Sequence, residues 1–228
     1  MNNIISWIDF LQEWGPAYLD GTLVTLKISL TGVLVGLILG ILVAIPRMSK
    51  NKIAYGLSTA YVEIIRGTPL LVQVMIFYYG FASVIPENLD WMKNAFVLST
   101  AAVCINSSAY ISEIIRGGIQ SVDRGQMEAA RSLGMTESQA MKKIILPQAI
   151  KIVLPALGNE FVTLIKESAI VSFVGIQDIT FQAKVSSGAT YRFFTPFITA
   201  AVIYFVLVFT LSKILNVYER RLKASDRG

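Results

Sequence analysis

Long apolar runs constrain this sequence more than any other feature. The run from Thr22 to Ile45 contains a single charged residue, Lys27. At about 1.5 Å per residue, a helix of this length crosses a hydrocarbon core of about 30 Å. Of the 228 residues, 54% are hydrophobic and only 15% are charged, against about 25% in soluble domains. The sequence therefore predicts an all-α membrane protein in which the whole chain, residues 1–228, forms one domain.

Four further apolar runs bring the number of predicted spans to five. The second run of the chain, residues 53–84, contains a break. Residues 53–84 would form a helix of about 48 Å, which is longer than one span needs. Because Pro69 disfavours helical geometry at Thr68, the sequence predicts a break at Arg66–Pro69. The later spans are predicted at residues 69–84, 95–115, 150–174 and 195–217.

Basic residues between the spans predict the orientation. Most Lys and Arg residues lie after the first span, after the third span and in the C-terminal tail. The remaining connections hold only Lys93, Lys184 and Arg192. Because cytoplasmic loops are enriched in basic residues, we expect the N-terminus outside and the C-terminus in the cytoplasm. This clustering also disfavours a nucleic-acid surface, despite the net charge of +5.

Two polar or amphipathic stretches are expected on the outer side. Residues 4–15 are amphipathic and too short to span, and we expect Pro16 to end them. Residues 1–20 would then form an outer interfacial segment. Residues 177–194 are polar and contain Gly and Ser, which predicts an outer loop.

The sequence lacks the residues that most enzyme mechanisms require. It contains no His, and its single Cys, Cys104, lies inside an apolar run. A disulfide framework and a Cys/His metal site are excluded, and the commonest neutral-pH general base is missing. No G-x-x-x-x-G-K-[ST] phosphate loop occurs, so we expect no ATP and no other cofactor bound by this chain. An intramembrane enzyme is disfavoured for the same reasons.

Two sequence patterns predict helix contacts. Gly32, Gly36 and Gly40 lie four residues apart, which allows another helix to approach closely and offers one packing face to a second copy. The segment Glu63–Gly67 recurs as Glu113–Gly117. In each copy, Glu and Arg three residues apart share a helix face and can form an ion pair.

The longest polar interruption, residues 121–147, is predicted to form two short capped helices. Its capping residues are Asp123, Gln126, Gly134, Thr136 and Gln139. Asp123 with Gln126, and Thr136 with Gln139, have capping-box spacing. Gly134 can end the first helix in a left-handed conformation. Pro147 is expected to interrupt the second helix.

This loop also carries a recognisable pattern. It consists of Glu128-Ala129-Ala130, three residues, Gly134, nine residues and then Ile-x-Leu-Pro at 144–147. The pattern resembles the signature loop of the membrane-spanning subunits of ATP-binding-cassette (ABC) importers. With Arg66-Gly67-Thr68-Pro69 and Pro155-x-x-x-Asn159-Glu160, nearly the whole chain resembles the five-span permeases of polar amino acid importers. This is the histidine, glutamine and arginine permease family.

The resemblance implies a type I ABC importer transmembrane domain in the cytoplasmic (inner) membrane of a prokaryote. Its implied partners are two copies of an ATPase subunit that binds ATP and Mg²⁺, and an extracytoplasmic substrate-binding protein. A second permease copy or a paralogue is also expected, because five helices are too few to enclose a pore.

By resemblance, the ATPase subunit grips the first short helix of residues 121–147. A capped helix joined to two spans can transmit a rigid-body motion. An ordinary amphipathic loop between two spans is the alternative. The implied coupling residues are Gln126, Glu128, Ala129, Ala130, Arg131, Leu133 and Gly134.

Glu160 is the main candidate for substrate recognition. It lies about 15 Å from the start of the fourth span, where an ionisable group costs about 2.5–3.5 kcal/mol. We hypothesise that it binds the substrate's α-ammonium or basic side chain; a structural pair with Lys27 or Lys166 is the alternative. A helix N-terminus near Thr68 would suit the substrate carboxylate. The predicted substrate contacts are Arg66, Gly67, Thr68, Gln73, Asn159, Glu160 and Thr163.

The predicted function is therefore the permease subunit of an ATP-driven ABC importer for polar amino acids. Glu160 favours basic substrates, namely arginine, lysine or histidine. Import of glutamine or glutamate is an alternative. A stand-alone channel or secondary transporter is a second alternative, but it leaves the cytoplasmic helical loop unexplained.

Overall fold

A computed structural model describes the backbone of residues 2–224 and the side chains of residues 7–221. Within this range the chain is helical and contains no β-strand, as predicted. The α-helices are α1 (Asn2–Arg47), α2 (Lys52–Arg66), α3 (Leu70–Met75), α4 (Ala82–Val84), α5 (Ala95–Gln120), α6 (Arg124–Ser132), α7 (Glu137–Ala140), α8 (Leu146–Glu167), α9 (Ile179–Thr190) and α10 (Phe194–Ala224). The other helical elements of the described residues are short 3₁₀ segments (Glu87–Lys93, Ser168–Val174) and π-helical segments (Ile76–Phe81, Met141–Ile145).

The number of spans agrees with the prediction. In the described residues, 4 helices are long and apolar enough to cross a membrane, and the count is 5 if one bent pair forms a single span. That pair, Lys52–Arg66 and Leu70–Val84, bends by 99° at the predicted break. Asn51 begins α2 by accepting hydrogen bonds from the N–H groups of Ile53 and Ala54.

The N-terminal stretch departs from the prediction. Pro16 lies inside α1 and does not end it, so the predicted end of the first helix at Pro16 is wrong. Phe10 and Tyr18 are buried, on either side of Pro16, with Ile179, Ala183 and Ala200. Burying two aromatic side chains, at about 1.5–3 kcal/mol each, offsets a proline cost of about 3 kcal/mol.

Pro147 does not interrupt its helix either. A π-helical turn, Met141–Ile145, directly precedes α8, and α8 runs through Pro147 to Glu167. The wider π turn changes the hydrogen-bonding pattern just before the proline, so the chain continues in helical form.

The predicted outer loop at residues 177–194 is largely a helix, α9. The side chain of Asp178 begins this helix by accepting a hydrogen bond from the N–H of Phe181. Its polar residues Gln182, Ser186 and Ser187 are buried rather than exposed. The polar composition therefore reflects a helix that packs inside the protein.

Packing divides the chain into two compact units. The first unit comprises Met1–Gly32, Thr68–Cys104 and Phe161–Leu211. The second unit comprises Val33–Gly67, Ile105–Glu160 and Ser212–Gly228.

The glycine stripe of α1 is used inside the chain. In the first unit, a Cβ added to Gly32 would lie 2.9 Å from Cγ1 of Val103. In the second unit, a Cβ on Gly36 would lie 3.0 Å from Ser107, and one on Gly40 would lie 2.9 Å from Ile111. Helix α5 of the same chain thus occupies this face in each unit, and the idea that a second copy packs there is wrong.

Candidate functional site

Helix α6 in the second unit has the predicted boundaries. Asp123 is its N-cap, and its carboxylate accepts a hydrogen bond from the N–H of Gly125 at 2.6 Å. The expected reciprocal bond with Gln126 is not formed. Gly134 ends the helix with φ +86, as predicted, and the N–H of Met135 donates to the carbonyl of Ala130 at 3.1 Å. Both helix ends are therefore fixed by local bonds.

The second predicted capping box is present at the start of α7. The N–H of Thr136 donates to Oε1 of Gln139 at 2.9 Å, and the N–H of Gln139 donates to Oγ1 of Thr136 at 3.2 Å. These reciprocal bonds fix the turn between α6 and α7.

A small hydrophobic core holds this helical loop together. Its buried centre consists of Val122, Ile145 and Ala149. Ile119, Met127, Met141 and Ile144 pack against that centre. Because these residues come from α5, α6, the π turn and α8, the loop is packed against the helices on both sides of it.

Most of the predicted coupling residues lie on the surface of α6 and its end. Leu133 is 85% exposed, although leucine is an apolar residue. The other exposed members of the set are Gln126, Glu128, Ala129, Arg131 and Gly134. Ala130 differs, because it is only 5% exposed and packs within the loop. Because local bonds fix both ends of α6, these exposed side chains are preorganised for contact with another protein.

The predicted substrate residues divide between the two units. Arg66, Gly67, Asn159 and Glu160 belong to the second unit, and Thr68, Gln73 and Thr163 belong to the first.

In the second unit, Glu160 has a partner that the sequence did not indicate. The hydroxyl of Ser107 donates to Oε1 of Glu160 at 3.2 Å, and Ser107 is fully buried. The guanidinium of Arg66 lies 5.2 Å from the ring centre of Tyr110. Among the described residues, no ion pair joins Arg66 to Glu63. Arg66 therefore has a cation–π contact in place of the suggested ion pair.

In the first unit, two predicted substrate residues bind each other. Nε2 of Gln73 donates to Oγ1 of Thr68 at 2.8 Å and to its carbonyl at 3.1 Å. Pro69 is the N-cap of α3 and makes no side-chain capping bond. Thr163 is partly buried in α8.

Two charged groups involve residues outside the predicted substrate set. In the second unit, Glu113 pairs with Arg116 at 2.6 Å, as its spacing predicted, and also with Arg47. In the first unit, Asp178 is fully buried and accepts a hydrogen bond from the hydroxyl of Tyr204 at 3.2 Å. Burial raises the pKa of the Asp178 carboxyl to about 6. Neither Arg47 nor Tyr204 is close in sequence to its partner, so no local pattern indicated these contacts.

Comparison with known proteins identifies the family. Residues 36–224 match the family described as "Binding-protein-dependent transport system inner membrane component". The chain belongs to this family.

Curated relatives and a solved structure extend this result. The chain is 42% identical to the arginine transport system permease protein ArtQ of Bacillus subtilis, over 92% of this chain and 94% of ArtQ. It is 44% identical to the putative glutamine transport system permease protein GlnP of Rickettsia prowazekii, over 93% of this chain and 97% of GlnP. An amino acid ABC transporter crystallised with histidines matches with TM-score 0.86 and 48% identity, over 92% and 96%. The permease is therefore a subunit of an amino acid ABC importer.

A more distant structure supports the fold alone. The MetNI methionine ABC transporter matches with TM-score 0.73 at 20% identity, over 93% of this chain and 97% of that chain. The permease has the fold of a type I ABC importer transmembrane domain, as predicted.

Proposed function

We propose that this permease imports basic amino acids, namely arginine, lysine or histidine, and that Glu160 binds a cationic group of the substrate. The contact that carries the proposal is the bond from Ser107, because a buried hydroxyl fixes one oxygen of a carboxylate within a span. One relative is named for arginine transport, and one similar transporter was crystallised with histidines. Both agree with an acidic recognition residue.

The test uses the complete transporter in proteoliposomes. Glu160→Gln keeps the size of the side chain and removes its charge, whereas Ser107→Ala removes only the hydrogen bond that Ser107 donates to it. We expect the apparent affinity for arginine to fall about tenfold or more in Glu160→Gln, and to a smaller extent in Ser107→Ala. The apparent affinity of each variant is measured from substrate-stimulated ATPase activity and from radiolabelled uptake. Unchanged affinity of Glu160→Gln for every amino acid tested would exclude the proposal.

Glutamine is the second candidate substrate. Several relatives at 42% to 45% identity have names that refer to glutamine transport. In that case Glu160 would bind the α-ammonium group, which all amino acids share. Competition for the uptake of labelled arginine separates the two candidates. Unlabelled lysine should displace arginine if the permease imports basic amino acids, whereas unlabelled glutamine should displace it if the permease imports glutamine.

The remaining predicted substrate contacts belong to the same proposal. Asn159 and Thr163 lie near Glu160 in the sequence of α8, while Arg66, Gly67, Thr68 and Gln73 surround the break between α2 and α3. The bond between Gln73 and Thr68 holds that break in a defined conformation. Gln73→Ala should therefore weaken substrate affinity by disordering the break.

We also propose that a separate ATPase subunit binds α6 from the cytoplasm, and that two permease chains assemble with two ATPase chains. The exposed Leu133, on a helix fixed by its own core, supports this contact. Gly134→Ala strains a left-handed residue by about 1–2 kcal/mol, whereas Gly117→Ala meets open space at ordinary φ. Co-purification of the ATPase should fall for Gly134→Ala and persist for Gly117→Ala; equal retention would contradict the proposal.

A further inference from the structure

A polar cleft lies in the first unit, between the N-terminal part of α1 and the end of α9. Its volume is about 220 Å³, and its walls are formed by Asp9, Phe10, Glu13, Thr190 and Arg192. Asp9 and Glu13 are one helical turn apart, so their carboxylates lie on the same face of α1.

Buried contacts hold the walls of this cleft in place. Phe10 is 3% exposed and meets the ring of Tyr18 edge-on, with 6.2 Å between the ring centres. The hydroxyl of Tyr18 donates to the carbonyl of Pro196 at 2.9 Å and lies 3.1 Å from Oγ of Ser186. These bonds join α1 to α9 and α10, so the cleft is preorganised.

The cleft presents charges of both signs that do not bind each other. Asp9, Glu13 and Arg192 are all exposed. The ion pairs of the described residues involve none of these three side chains. A partner with a basic group opposite the two carboxylates and an acidic group opposite the guanidinium would complement this surface.

Next to the cleft, the turn between α9 and α10 exposes aromatic side chains. Tyr191 has the left-handed φ of 53 and is 90% exposed. Phe193 and Phe194 are 72% and 83% exposed. A left-handed non-glycine residue costs about 1 kcal/mol or more, and such strain concentrates at functional positions. Tyrosine and arginine, like tryptophan, are enriched among the residues that contribute most to binding at protein–protein interfaces.

We propose that the cleft and this aromatic turn together dock the extracytoplasmic substrate-binding protein. The family is defined by dependence on such a protein. The charge distribution predicts both segments on the outer side, and the structure brings both into one unit. A lipid surface fits less well, because paired carboxylates repel anionic headgroups. The proposal rests on the proposed import function, in which the substrate arrives from that side.

The experiment measures the affinity of the binding protein for the complete transporter in nanodiscs. The probe is the purified binding protein that stimulates the ATPase of the wild-type complex. We expect the double variant Asp9→Asn/Glu13→Gln, and separately Arg192→Gln, to raise the half-saturating concentration about tenfold. Association should also become slower and less sensitive to salt. Size-exclusion profiles and melting temperatures show whether each variant remains folded.

Matched controls come from the other connection predicted outside. Glu87→Gln and Lys93→Gln remove charges of the same signs at positions that do not line the cleft, and should change half-saturation less than twofold. If the cleft variants behave like these controls, the docking inference is wrong although import stands. If no binding protein stimulates the wild-type complex, the proposed import function fails instead.

A second measurement does not depend on the charge variants. A photoreactive phenylalanine analogue at position 191 should crosslink to the binding protein, and a molar excess of unmodified binding protein should suppress the crosslink. Crosslinks to lipid alone would overturn the proposal and assign the aromatic turn to the membrane interface.

Discussion

Replacement of Asp178 by asparagine should make the stability of the permease less dependent on pH. Asp178 lies between two candidate spans, is 0% exposed, and caps α9 while accepting a bond from Tyr204. Burial raises the pKa of its carboxyl from 3.8 to about 6, against the opposing influence of its hydrogen bonds and of Lys184. A change of about 2 in pKa corresponds to about 3 kcal/mol.

The direction follows from the pKa of the folded state lying above that of the unfolded state. The stabilising contribution is complete below about pH 4 and is lost as the pH rises through about 6. The wild-type protein should therefore lose up to about 3 kcal/mol between pH 4 and pH 7 through this group. The carboxamide in the Asp178→Asn variant cannot ionise, yet it can still accept from Phe181 and donate to the Tyr204 hydroxyl.

Thermal unfolding of both proteins at closely spaced pH values measures this difference. Other titrating groups contribute equally to the two proteins, so the difference between their curves isolates Asp178. We expect Asp178→Asn to gain stability relative to wild type as the pH rises from 4 to 7. If the two curves of stability against pH run parallel over this range, or if Asp178→Asn loses stability relative to wild type as the pH rises, the reasoning is refuted.

Two further substitutions test the packing of α1 against α5. Gly40→Ala should destabilise the second unit by about 1–3 kcal/mol, because its Cβ would lie 3.0 Å from the carbonyl oxygen of Ser108. Gly56→Ala is the control, because its Cβ would meet open space in α2, and it should stabilise the protein slightly. Unfolding temperatures of the two variants should therefore move in opposite directions. Glu113→Gln should lower the free energy of unfolding by about 3 kcal/mol, because it leaves the partly buried Arg47 and Arg116 without their anion. Asp90→Asn, which removes the exposed ion pair with Lys93, should lower it by less than about 1 kcal/mol. Equal effects of these two variants on denaturation would contradict that account.

Local chemistry made part of the fold predictable from sequence. The break before Leu70 follows from Pro69, and both ends of α6 and the start of α7 follow from caps within a few residues of each other. Run length and composition were sufficient for the spans, because the bilayer imposes a minimum length on each apolar helix.

Contacts between distant residues could not be predicted in this way. The helix continues through Pro16 because Phe10 and Tyr18 are buried against residues more than a hundred positions away. Helix α9 looked like a loop because the polar residues it buries, such as Ser186, have the composition of a loop.

The candidate site shows the same division. Glu160 stood out because an ionisable residue inside an apolar run is unusual, but its bond from Ser107 spans 53 positions. The cleft around Arg192 combines distant parts of the chain, and no sequence pattern indicated that they meet. Sequence reasoning therefore identified single residues better than their partners.

The central claim is that α6 faces the cytoplasm and contacts a separate ATPase subunit. Leu133→Cys in a Cys104→Ser background places one thiol at the end of this helix, because Cys104 is the chain's single cysteine. Crosslinking in inside-out vesicles should join position 133 to the ATPase subunit, whereas Leu57→Cys, at another exposed leucine, should give no such product. Labelling of position 133 by an impermeant reagent from the outer side, or ATP-independent uptake by the permease alone, would contradict the account.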